Sequence, residues 1–173
     1  GVRSIEHGTF LSDSTLQLMK QKGTYLVPTY ITVLDLTQPG GDYDDPALTI
    51  RGNFMLPALG ETVRRAHRMG IPIATGADTQ YGPESLSRIA GEAALFVDLG
   101  MSPLEALRSA TSVSASLLGL GDRIGAIKEG YEADLILVES NPLQNIRALA
   151  DVLVVISNGT IALNRTPFAK TRM

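Results

Sequence analysis

The feature that most constrains this chain is the regular exchange of short apolar runs with longer helical patterns over about its first hundred residues. Val2 to Glu6 reads as a strand. Ser12 then caps a helix whose apolar positions Leu16, Leu18 and Met19 end at Gly23. Tyr25 to Ile31, rich in β-branched and aromatic residues, reads as a second strand, and the turn-rich stretch 38–46 as a loop able to act as a lid. A helix present at the latest from Pro57 runs to Gly70, and Ile71 to Thr75 is a third strand cut short by Gly76. Leu86, Ile89, Ala93, Phe96 and Gly100 recur at steps of three and four, the amphipathic helical period. Ser102-Pro103-Leu104-Glu105 supplies an N-cap, a first-turn proline and a capping-box glutamate for a helix to about Leu118. Alternation of this kind implies parallel strands joined by right-handed helical crossovers, an α/β fold.

From Arg123 the rhythm changes. Ala133 to Glu139, Val152 to Ser157 and Thr160 to Asn164 read as strands, the last two joined by the hairpin signal Asn158-Gly159. The chain therefore divides into an α/β part, 1–122, and a small β part, 123–173.

Composition narrows the function. A 44% hydrophobic and 19% charged chain of 173 residues can bury a core, which argues against disorder. Fifteen Lys+Arg against eighteen Asp+Glu give a net charge of −3, without the basic excess of a nucleic-acid binder. The apolar runs are too short to span a bilayer. The absence of cysteine removes disulfides, thiolate metal sites and a cysteine nucleophile, and leaves the compartment open. The chain begins with Gly1 and enters a strand at once, so further sequence is expected upstream.

Polar groups at the C-terminal ends of parallel strands face a ligand in open sheets and barrels alike. Ser4-Ile5-Glu6-His7-Gly8 places a histidine where the first strand ends; Ala74-Thr75-Gly76-Ala77-Asp78-Thr79 places an aspartate where the third ends. Taken singly, each has an ordinary structural reading: a hydrogen-bonded histidine, and an aspartate capping the next helix. Glu6 should point away from His7 by strand alternation. His67, on an arginine-rich helix, reads as solvated or stacked. Tyr30, at the expected end of the second strand, and Tyr81, just past Asp78, are candidates for hydrogen bonds to substrate.

Residues 1–9, Gly-Val-Arg-Ser-Ile-Glu-His-Gly-Thr, resemble the sixth strand of the amidohydrolase superfamily, particularly its imidazolonepropionase-like and Xaa-Pro-dipeptidase-like members. Val63 to Asp78 resembles that family's seventh helix and eighth strand. Gly100 to Leu107, with Ala110-Thr111, is similar to the helix after the barrel. Gly125 to Gly130, Ala133-Asp134-Leu135, Asn141-Pro142-Leu143 and Val155 to Gly159 resemble its return to a small β domain.

The resemblance implies the C-terminal part of a metal-dependent (β/α)8 TIM barrel, strands six to eight, followed by a β-sandwich segment. It implies one or two divalent metals, zinc foremost, at the C-terminal mouth. His7 maps onto the strand-six metal ligand and Asp78 onto the strand-eight aspartate, a ligand and the catalytic proton shuttle. The family's His-x-His pair, strand-four lysine and strand-five histidine have no counterpart in these residues, so the isolated chain is expected to be incomplete and inactive. The missing N-terminal portion would come from the same or a separate chain. The implied reaction is hydrolysis of amide or peptide C–N bonds in small substrates such as dipeptides, N-acyl amino acids or cyclic amides, with self-association left open. A phosphate-binding barrel fits less well, because Asp78 would repel phosphate. The alternative of another class is a non-catalytic remnant or assembly subunit that keeps the fold without the metal.

Overall fold

Strand β1 (Ser4–Glu6) pairs in parallel with β2 (Tyr25–Val27), Ile5 lying opposite Leu26. The connection is helix α1 (Asp13–Lys22). Its N-cap Ser12 accepts from the Thr15 N–H, and Gly23, at φ 65°, closes the other end in the left-handed conformation that costs glycine little. The computed structural model describes residues 1–38, 45–78 and 88–166.

The second strand is shorter than its composition predicts. β2 stops at Val27, and Tyr30–Asp35 forms a helix, α2, rather than the continuation of a strand to Ile31. Pro28 lacks the N–H a ladder needs, and a remote carboxylate takes up the first N–H groups of the helix. The third strand is likewise reduced. Within Ile71 to Thr75 it is a parallel bridge between Ile73 and Leu26, held by Leu26 N–H to Pro72 O at 2.9 Å and Ala74 N–H to Leu26 O at 3.0 Å. Pro72 again removes a donor. The three extended segments nevertheless run side by side and in the same direction.

Helix α3 (Pro46–Met69) starts well before Pro57. Asp45 caps it through Ala47 and Leu48, Pro46 occupies the first turn, and Pro57 sits inside. Residues 39–44 of the expected loop, and Leu86 of the next helix, lie outside the described residues. Helix α4 (Arg88–Asp98) buries Ala93 and Phe96 as its periodicity predicts, while Ile89 remains partly exposed.

The expected single helix from Pro103 to Leu118 is two: α5 (Pro103–Ser109) and α6 (Ser112–Leu117). The Ser109 carbonyl explains the break. It accepts from Thr75 N–H at 3.1 Å and from the Ser114 hydroxyl at 2.6 Å, so the chain turns where it serves the end of the third strand. The capping box of Ser102 and Glu105 is present in full.

Leu16, Leu26, Leu59, Val63 and Phe96 form the centre of the core between the strands and the helices. Each contributes roughly 1.5–3 kcal/mol by leaving water. The later strands β3 (Leu135–Val138), β4 (Val152–Ser157) and β5 (Thr160–Asn164) form an antiparallel sheet in the order β3-β4-β5. Positive φ at both Asn158 (47°) and Gly159 (75°) gives the tight turn that their sequence predicts. A 3₁₀ turn at Ile146–Ala150 buries Ile146 and Leu149 in the core cluster, and Arg147 bonds Asp98 on α4 at 2.8 Å. Ile136, Leu137, Ile161 and Leu163 stay exposed on the sheet. Among the described residues no helix is long and apolar enough to cross a membrane.

Candidate active site

The ends of the three parallel segments carry an unusual backbone. Among the described residues, four that are not glycine have positive φ: His7 (59°), Thr29 (46°), Asp78 (43°) and the hairpin residue Asn158. The first three are the residues at which the three parallel segments turn out of the sheet. Asparagine and aspartate tolerate the left-handed region, but a β-branched threonine there is a genuine outlier. Such strain costs on the order of 1–3 kcal/mol per residue and collects at functional sites.

These bends bring His7 and Asp78 together. His7 Nε2 lies 3.9 Å from Asp78 Oδ2, with both side chains about half exposed. The other ring nitrogen, Nδ1, is 2.5 Å from the hydroxyl of Thr29, which is buried. That hydroxyl has one hydrogen, and it donates it to Pro28 O at 2.7 Å. With that hydrogen given to Pro28 O, Thr29 Oγ1 keeps lone pairs that can accept from an Nδ1–H of His7.

Two residues of α4, one turn apart, hold this arrangement from behind. Glu92 is fully buried, and its carboxylate oxygens accept from Tyr30 N–H at 2.9 Å and Ile31 N–H at 2.7 Å. Burial raises its pKa to about 7, despite those two N–H donors and the nearby Arg88. The Arg88 guanidinium pairs with Asp35 at the far end of α2 and donates to Thr32 Oγ1 at 2.9 Å. Thr32 and Arg88 both donate to the Ala77 carbonyl, at 2.9 and 3.3 Å, next to Asp78. Helix α2 is thus the bracket between the two candidate groups. Reasoning from sequence missed Thr29, Glu92 and Arg88. The buried face of α4 was legible as helical period, but its two charged members were not read as partners of a strand end.

The other candidates fall elsewhere. Tyr30 begins α2; its ring packs against Gly60 of α3, and burial raises its phenol above the ordinary 10.0. Its backbone N–H is the group that enters the polar network, through Glu92. Tyr81 lies outside the described residues. His67 is paired rather than merely solvated or stacked: Nε2 meets Glu105 Oε1 at 3.1 Å, joining the end of α3 to the start of α5. Glu6 accepts from the Ser4 hydroxyl. Among the described residues there is no group of three or more His, Asp or Glu side chains placed to hold a metal ion; His7 and Asp78 are a pair.

A histidine and an aspartate thus stand together beyond the ends of parallel segments joined by helical crossovers, an arrangement of the α/β class. Residues 1–162 match the model of the amidohydrolase family, and the chain belongs to that family. It is 32% identical over 158 residues to the ochratoxinase of Aspergillus niger, covering 87% of this chain and 31% of that enzyme. It is 29% identical over 143 residues to the imidazolonepropionase of Caldanaerobacter subterraneus subsp. tengcongensis, covering 81% of this chain and 29% of the relative. A crystal structure of a Xaa-Pro dipeptidase with methionine bound in its active site superposes with a TM-score of 0.82 and 35% identity, over 93% of this chain and 40% of that one. The chain thus spans about a third of the length of the curated relatives it matches.

Proposed function

We propose that the chain is the C-terminal portion of a metal-dependent amidohydrolase, comprising strands six to eight of a (β/α)8 barrel (1–122) and part of a small β domain (123–173). Its substrates are small amides: dipeptides, N-acyl amino acids or cyclic amides. The observation that carries this reading is the approach of His7 Nε2 and Asp78 Oδ2 to 3.9 Å at the ends of parallel segments. Dipeptidase and ochratoxinase relatives support amide hydrolysis as the reaction class.

The two side chains suit a divalent cation. His7, through Nε2, and Asp78, through a carboxylate oxygen, would hold the ion, both being donor types that zinc takes. A hydrolytic zinc takes about three protein ligands, so the remaining ones would come from the portion of the barrel beyond these residues. Ser4, Glu6, Val27 and Thr75 line an open cavity of about 620 Å³, room that a complete barrel fills with side chains from its other strands.

When bound, the ion lowers the pKa of a coordinated water and polarises the scissile carbonyl. His7 contributes a neutral imidazole. Asp78 accepts a proton from the attacking water as the C–O bond forms, and delivers it to the leaving nitrogen as the C–N bond breaks. The products are a carboxylic acid and an amine. Tyr81 is proposed as a neighbour of the bound substrate, whereas the Tyr30 ring is turned to α3.

The test is hydrolysis of a panel of dipeptides and N-acyl amino acids by the protein that carries this chain, before and after chelation. Turnover should disappear on chelation and return with zinc. Undiminished hydrolysis by metal-stripped protein would overturn the metal mechanism. Neither bound metal nor hydrolysis in the native protein would favour a non-catalytic member of the family.

A further inference from the structure

We propose that Thr29 is a positioning residue that sets the ring orientation and tautomer of His7, and that Glu92 holds Thr29 in the backbone conformation this task needs. The inference rests on the reading of His7 as a metal ligand. Thr29 reaches φ 46° and ψ 44°, a conformation a threonine keeps only when its surroundings demand it. Those surroundings constrain it three times over. The two N–H groups that follow it are held by the two oxygens of the fully buried Glu92. Its carbonyl accepts from Thr32 N–H at 3.1 Å. Its methyl group occupies space that Gly76 leaves free: a Cβ at Gly76 would come within 2.7 Å of Thr29 Cγ2.

The consequence falls on His7. Because the Thr29 hydrogen goes to Pro28 O, the Thr29 oxygen selects the Nδ1–H tautomer and leaves Nε2 as the donor atom. A histidine that ligates metal through one nitrogen generally hands its other N–H to a fixed acceptor, and loss of that acceptor costs about 10–100-fold in metal affinity. Here the acceptor comes from the neighbouring strand end, and the strained threonine is what carries it to the ring.

The experiment uses the protein that carries this chain, with Thr29→Val, Thr29→Ser and Glu92→Gln variants. Two readouts are taken: ring ¹⁵N shifts of His7 in metal-free protein above the histidine titration range, and zinc affinity by competition with a chelator. Thr29→Val keeps the shape and removes the acceptor, so His7 should lose its Nδ1–H preference and zinc affinity should fall about 10–100-fold. Thr29→Ser should restore both. Glu92→Gln should shift the tautomer in the same direction; if that variant fails to fold, the valine and serine pair still decides. An Nδ1–H signal and zinc affinity unchanged in Thr29→Val would overturn the proposal. A tautomer shift with unchanged zinc affinity would uphold the orientation of His7 by Thr29 and overturn His7 as the ligand.

Discussion

His7 Nε2 stands 3.9 Å from the Asp78 carboxylate, although helices α1, α2 and α3 separate the two residues in the chain. The approach is possible because both follow parallel segments that flank β2 and both take the left-handed conformation, and because α2 ties the two segment ends together through Thr29 and Thr32.

The first prediction separates the roles of the pair in the protein that carries this chain. His7→Ala should lower zinc occupancy, since it removes a ligand. Asp78→Asn should keep part of the zinc yet lose turnover by about 10²–10⁴-fold, the usual contribution of a general acid–base group. His67→Ala should leave both measurements near the parent. Metal analysis and amide hydrolysis on the same preparations check this, and hydrolysis by metal-loaded Asp78→Asn within a few-fold of the parent would remove Asp78 as the proton shuttle.

Gly76→Ala should destabilise the fold. The added Cβ would lie 2.7 Å from both Thr29 Cγ2 and Val27 Cγ1, two buried neighbours without an easy escape. Overpacking of this kind costs about 1–3 kcal/mol. A lower denaturant midpoint with unchanged slope is the expected result, and a midpoint equal to the parent's would show that the contact relaxes freely.

Stability should depend on pH through Glu92. Its folded pKa of about 7 lies above the ordinary 4.5, so between these values the folded state binds more protons than the unfolded. The stability that the protonated form contributes is complete below about pH 4.5 and is lost as pH rises through about 7. Comparing unfolding free energies of the parent and Glu92→Gln across this window checks the sign. The variant should be flatter with pH and lower throughout, because an amide nitrogen cannot accept from one of the two N–H groups that Glu92 now satisfies.

A fourth expectation concerns the start of α5. Ser102 accepts from Glu105 N–H, and the Glu105 carboxylate returns to the Ser102 backbone and hydroxyl. These bonds, with a contribution from His67, lower the Glu105 pKa to about 2. Ser102→Ala should cost about 1 kcal/mol and Ser102→Gly less, in equilibrium unfolding. Both should bring the Glu105 titration back toward its ordinary range.

What the sequence determined by itself is the local grammar. Ser12 and Ser102 cap helices through atoms three residues away, and Asn158-Gly159 turns a hairpin with its own backbone, so their partners lie within the window that a pattern can read. The alternation of strand and helix, and the appearance of His7 and Asp78 at strand ends, were legible for the same reason. The tertiary structure alone decided that Tyr30–Asp35 is a helix, because its N-terminal N–H groups are satisfied by Glu92 from α4. It decided that the 102–118 helix breaks, because the Ser109 carbonyl is taken by Thr75. It also decided that a threonine, rather than a second charged group, stands behind His7. Each of these depends on a hydrogen bond between groups far apart in the chain. Such bonds form only once the core has packed, and no local periodicity encodes them.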